Sequence, residues 1–141
     1  MKEILRLMVV LTTVSALAGF SLAYVNEKTK EPRAYQDRMK LLGSLNTVLP
    51  PHGNQPDKDA VTIGPTTYYV SKQNGAVNGV AFETSSDKGY SGPVRVMVGI
   101  KPDGEIISIE IVEQKETPGL GSKITEGWFK DRYKGKSLQN A

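Results

Sequence analysis

The residues of this chain best suited to chemistry lie in one stretch, Lys115-Glu116-Thr117-Pro118-Gly119-Leu120-Gly121-Ser122-Lys123. Pro118 fixes one backbone angle, and Gly119 and Gly121 lack the Cβ that would hold a ligand away from the main chain. A helix beginning just afterwards would turn its unsatisfied N–H groups and positive dipole end toward the same loop. Lys123 adds a cation. Such a set suits an anionic or planar ligand, a phosphate or a flavin ring. On local physics alone, an ordinary strand-to-helix connection accounts for the stretch better.

Other chemistry finds little to build on. The 141 residues contain no cysteine, which removes disulfides, Cys-ligated iron–sulfur clusters, c-type haem attachment and zinc fingers. His52 is the single histidine, and in "PPHGNQP" it reads as a solvated loop residue rather than a metal ligand or triad base. Gly119-Leu120-Gly121 opens like a dinucleotide fingerprint, but the third glycine is replaced by Ile124. Gly135-Lys136-Ser137 resembles a P-loop tail, yet the upstream glycine position holds Lys130. The net charge of +3 comes from interleaved signs, not a basic face, which argues against nucleic acid as a partner.

The elements around the loop follow from periodicity. Leu7 to Tyr24 is 18 residues without a charge; with Ile4, Leu5 and a snorkelling Arg6 it reaches 21. As a helix that spans about 30 Å, the thickness of a bilayer core. Tyr24 stands where an interfacial aromatic belongs. Ala16-Leu17-Ala18 also offers a signal-peptidase site, and a secreted domain released there is one alternative; the apolar run continuing to Tyr24 favours an uncleaved anchor. Flanking Lys and Arg alone would put the C-terminal side inside, but long domains translocate largely regardless of such charges. The remainder is therefore assigned outside the cytoplasm.

Residues 26–49 are expected to form a juxtamembrane amphipathic helix with Tyr35, Met39, Leu42, Leu45 and Leu49 on one stripe, Pro32 in its first turn and Pro50-Pro51 as its stop. Residues 50–65 read as a linker loop. In residues 66–141, "TTYYVSKQ" and "AVNGVAFET" flank Asn74-Gly75 as one hairpin. "PVRVMVGI" and "EIISIEIV" flank "KPDG" as another, with Val94, Val96, Val98 and Ile100 on one face and Ile107, Ile109 and Ile111 on one face of the return strand. One-sided strands of this kind imply an antiparallel sheet with one face on a core. Ser122 is expected to cap a short helix from Ile124 to about Tyr133, its Trp128 and Phe129 serving as core. The fold class is α+β, a single N-terminal transmembrane helix (residues 1–25) followed by an extracytoplasmic domain of antiparallel hairpins and short helices.

Lys88 to Ile124, "KGYSGPVRVMVGIKPDGEIISIEIVEQKETPGLGSKI", followed by "EGWF", resembles the flavin-binding domain of the G-type subunit of the Rnf electron-transport complex. The C-type subunit of the sodium-translocating NADH:quinone reductase shares that domain, and "GSKI" with the short chain is more similar to the Rnf protein. The resemblance implies a single-pass subunit of the cytoplasmic (inner) membrane carrying FMN for electron transfer. Its partners would be the bilayer and other subunits, with no diffusible small-molecule substrate. It also implies that Glu116, Thr117, Pro118, Gly119, Leu120, Gly121 and Lys123 shape the flavin environment, and that no residue acts as acid, base or nucleophile. The family esterifies its FMN phosphate to a threonine in a Ser/Thr-Gly-Ala-Thr motif that these 141 residues lack. The expectation is that the sequence is truncated before that motif. A flavin-free structural or assembly subunit is the alternative.

Overall fold

The structure, a computed structural model, describes residues 1–140. It divides into two compact units, residues 1–39 and residue 40 onward. The first unit is helix from Lys2 onward. Helix α1 runs Lys2–Val48, so the anchor and the amphipathic segment expected as separate elements are one helix. Pro32 lies in its interior and not in a first turn, removing one i→i−4 bond from the ladder. Thr29 Oγ1 donates to the Val25 carbonyl nearby, and Lys30 pairs with Glu27. Over Ile4–Val25 the large apolar side chains are exposed, Phe20 and Leu22 by more than 70%. This helix is long and apolar enough to cross a membrane.

The second unit is built on a five-stranded antiparallel sheet in sequence order: β1 (Val61–Ile63), β2 (Thr66–Gln73), β3 (Ala76–Ser86), β4 (Val94–Ile100) and β5 (Ile106–Glu113). The β2–β3 turn uses Asn74 and Gly75, both at positive φ (53° and 81°), the backbone handedness a two-residue hairpin needs. The β4–β5 turn closes with Lys101 N–H donating to Glu105 O at 2.8 Å.

The α1 side of the sheet holds the core. Leu45, Val48 and Leu49 pack on Ala81 and Met97, with Leu41, Tyr69 and Val112 at the margin. The expected stripe is therefore half right: Leu45 and Leu49 are buried, whereas Tyr35 and Met39 are exposed. The end of α1 fits because small residues face it. Ser71 pairs with Gly79, and Ala81 with Gly99, across β2–β3 and β3–β4 respectively. Ser71 is fully buried, its hydroxyl 2.7 Å from Asn78 Oδ1 and 3.0 Å from Gly79 O, so it has an acceptor.

Residues 50–65 are not a slack linker. Part of the stretch is β1, Pro56 is buried, and Asn54 acts as a surrogate strand beside β2. Its Nδ2 donates to Val70 O and its Oδ1 accepts from Lys72 N–H, both at 2.8 Å, while Gly53 N–H donates to Lys72 O. These bonds satisfy the part of β2 that runs beyond its β1 partner, where bare edge groups would otherwise invite another strand. Asn54→Ala is expected to lower stability by about 2 kcal/mol, read as a fall in urea midpoint with unchanged slope.

Candidate functional site

The second face of the sheet is apolar too, so the expectation of a single core face falls short. Val94, Val96 and Val98 of β4 form the floor with Ile109 and Ile111 of β5. Strand pairing sets Val98 opposite Ile109 and Val96 opposite Ile111. A bulge between Gly99 and Ile100 makes Ile100 pair with Ile106, so Ile106 lines this face where Ile107 was expected. Over the floor runs a groove of about 410 Å³. Thr84, Ser86 and Lys88 form its polar rim, and Gly89 of the β3–β4 loop walls one side.

The opposite wall comes from the chain after β5, as three short pieces and not the single helix expected over Ile124–Tyr133. They are a 3-10 segment Gly121–Thr125, helix α2 (Gly127–Lys130) and a 3-10 segment Asp131–Tyr133. The break falls at Glu126, whose ψ of 150° is extended. Each piece hands one apolar residue to the groove: Ile124, Phe129 and Tyr133. Phe129 packs against Tyr133 at a tilt of 57° with centroids 5.6 Å apart, and Lys130 ties α2 to β5 through a 2.8 Å bond to Glu110. Trp128 is exposed rather than core, meeting Phe129 edge-on and donating its indole N–H to Glu126.

The loop singled out in the sequence flanks this groove without lining it. Thr117, Pro118, Gly119, Leu120 and Lys123 are exposed; Glu116 and Gly121 are half-buried. Gly119 sits at φ +78°, as a tight turn of left-handed backbone requires. The loop is folded on itself: Leu120 and Ser122 N–H donate to Thr117 O, and Gly119 N–H donates to Ser122 Oγ at 3.0 Å. Ser122 therefore braces the loop and does not cap a helix, and Leu120 occupies the N-cap with no side-chain bond. A five-residue 3-10 segment carries little of the dipole expected of a helix at this point.

Glu116 is the link between loop and groove. Its Oε1 accepts from Ser91 N–H at 3.3 Å, and a Cβ built on Gly89, a groove-wall residue, would lie 2.8 Å from the same oxygen. Lys123 immediately precedes Ile124 of the groove. Two side chains with altered titration lie on the α1 face instead. Hydrogen bonds to Glu83 and Glu113 push the Arg95 guanidinium up, and burial, with Glu83 adding to it, raises the Tyr69 phenol. The groove is partly legible in the residues themselves, because the alternation in β4 and β5 marks its floor. The walls are not, because three short helical pieces leave no period to read.

Residues 89–141 match the FMN-binding domain family, so the match opens on the groove-wall glycine and takes in both strands of the floor and the flanking loop. Together these features mark a protein of the FMN-binding-domain class with a helix able to cross a membrane. The chain is 36% identical over 134 residues to the G-type subunit of the ion-translocating oxidoreductase complex of Cereibacter sphaeroides, covering 88% of this chain and 60% of that protein. It is 33% identical to the same-named protein of Aliivibrio fischeri (96% of this chain, 70% of the relative). It is 32% identical to the G-type subunit of the Na+-translocating ferredoxin:NAD+ oxidoreductase complex of Acetobacterium woodii (98% and 72%). The chain belongs to the family of G-type subunits of ion-translocating oxidoreductase complexes. It spans 60% of the length of the first of these relatives.

Proposed function

We propose that the chain is the membrane-anchored flavoprotein subunit that relays electrons within an Rnf-type ferredoxin:NAD+ oxidoreductase complex. Its domain lies on the extracytoplasmic side of the cytoplasmic membrane, and its partners are the other subunits. The observation that carries this reading is the coincidence of the FMN-binding-domain match with an apolar groove floored by β4 and β5 and walled by Gly89 and by Ile124, Phe129 and Tyr133.

The residues present suit a flavin in three respects. The valine and isoleucine floor offers a planar ring an apolar surface to pack on, while Thr84 and Ser86 supply hydroxyls at the rim. Lys88 on the rim and Lys123 beside Ile124 provide positive charge for a phosphate. The exposed Thr117–Leu120 turn, bare of side chain at Gly119, is available to pack against the ring edge. A covalent phosphate ester of the family type is a different matter. Its Ser/Thr-Gly-Ala-Thr tetrapeptide does not occur in the 141 residues, so the contacts proposed for these residues are non-covalent. Bound flavin supplies the electron-transfer chemistry, and the protein supplies position, dryness and charge.

The test is the visible absorbance spectrum of the native subunit purified from its membrane, wild type against Val96→Lys. A flavin band is expected, and a cation thrust into the groove floor should shift that band or reduce flavin content by about tenfold or more. Thr62→Lys on β1, remote from the groove, should leave the spectrum unchanged. A protein with no flavin band would favour the structural role, and a band indifferent to Val96→Lys would remove the groove from the site.

A further inference from the structure

Glu116 belongs to the loop assigned above to the flavin environment, yet its side chain turns into the protein. It is half-buried while the four residues after it are exposed. Its carboxylate occupies a slot between two glycines from different loops. On one side, a Cβ at Gly89 would stand 2.8 Å from Oε1; on the other, a Cβ at Gly121 would stand 2.8 Å from both Oε2 and the Glu116 Cβ. Distances under 3.0 Å are ones real Cβ atoms essentially never show, so a methyl at Gly121 would displace the Glu116 side chain, whereas at Gly89 the closest obstacle is the Gly92 carbonyl, 2.1 Å away, with the carboxylate second. Oε1 also accepts from Ser91 N–H, 25 positions away along the chain. The base of the side chain is fixed as well, because Glu116 N–H donates to Gln114 Oε1 at 2.6 Å. Among the described residues no cation pairs with this carboxylate, so its neighbours are backbone and glycine.

We infer that Glu116 is a positioning residue: its carboxylate, seated between Gly89 and Gly121, joins the β3–β4 loop to the loop after β5, so that the loop walling one side of the groove and the loop flanking it move together. Gly89 is the point where this clamp meets the groove. The clamp needs an acceptor oxygen at the reach of a glutamate, not a charge. Glutamine preserves both oxygen and reach; alanine removes both. What the clamp shapes for a cofactor rests on the flavin reading, but the clamp itself requires no flavin.

Hydrogen–deuterium exchange of the full chain in detergent micelles tests this without a cofactor. Glu116→Ala should speed exchange at Ser91 by about tenfold, the loss of one modest hydrogen bond, while β4 and β5 stay protected. Glu116→Gln should remain near wild type. Gly121→Ala should loosen the same distant Ser91 by pushing the carboxylate out of its slot. Gly121 is not at positive φ, so the added methyl brings no backbone strain of its own. In the double variant Gly121→Ala, Glu116→Ala, the second change should add little, because its partner has already lost the slot. Should Glu116→Ala unfold the sheet, Gly121→Ala against Glu116→Gln decides instead. Unchanged Ser91 exchange in Gly121→Ala, or fully additive effects in the double variant, would overturn the inference. A flavin-free native protein would defeat the functional reading and leave these exchange results standing.

Discussion

Gly99→Ala is expected to be among the most destabilising single methyl additions in the sheet unit. A Cβ at this position would lie 2.0 Å from Val48 O, 2.7 Å from Val48 C and 3.0 Å from Val48 Cβ. The obstacle is the last turn of α1, main chain that cannot swing aside as the tip of a side chain can. Accommodating the methyl means lifting that turn, and with it Leu45, Val48 and Leu49 from Ala81 and Met97. The cost should be about 3 kcal/mol or more, at the upper end of overpacking effects. For a unit of this size that corresponds to a fall in Tm of roughly 12–24 °C, measured by circular dichroism in detergent. Gly43→Ala provides the contrast. It adds the same methyl to the same helix where nothing lies within 4 Å, and helix propensity predicts a gain of about 0.5–1 kcal/mol. Equal losses at both positions would mean that the close approach of α1 to β4 is wrong.

The second large effect is expected from Leu45→Ala. Leu45 is 1% exposed and sits in the middle of the cluster formed with Val48, Ala81 and Met97. Its neighbours are held by the sheet on one side and the helix backbone on the other, so the cavity has little means of collapsing. Transfer and cavity terms together put the loss at about 2–5 kcal/mol. The same truncation at Leu42, which is only half-buried, should cost less. A denaturant series on both variants checks this: a Leu45→Ala midpoint no lower than that of Leu42→Ala would place the core elsewhere.

Both effects depend on a helix register that the sequence marks only in part. The apolar spacing from Tyr35 to Leu49 is continuous, but Leu45 and Leu49 are buried while Tyr35 and Met39, which carry the same period, are exposed. Periodicity reports which residues share a face, not where along that face the sheet begins. Likewise, Pro32 reads as a first-turn residue because proline is unfavourable inside a helix, yet α1 runs through it.

Local features were legible from the residues alone. Four strands and their two hairpin turns follow from alternation and from Asn74-Gly75 and Asp103-Gly104, because the turn geometry and the two-residue period are properties of a few adjacent residues. The membrane-length helix follows from an uninterrupted apolar run, since bilayer thickness sets a length that can be counted. The Glu116–Gly121 loop stood out for its proline and glycines, and its family followed from motif order. The remaining features arise only from tertiary packing. Asn54 completes the edge of β2, a bulge exchanges Ile107 for Ile106, three helical fragments wall the groove, and Glu116 turns inward between two glycines. Each depends on atoms brought together from distant positions, and steric fit between backbones leaves no period in the chain that encodes it.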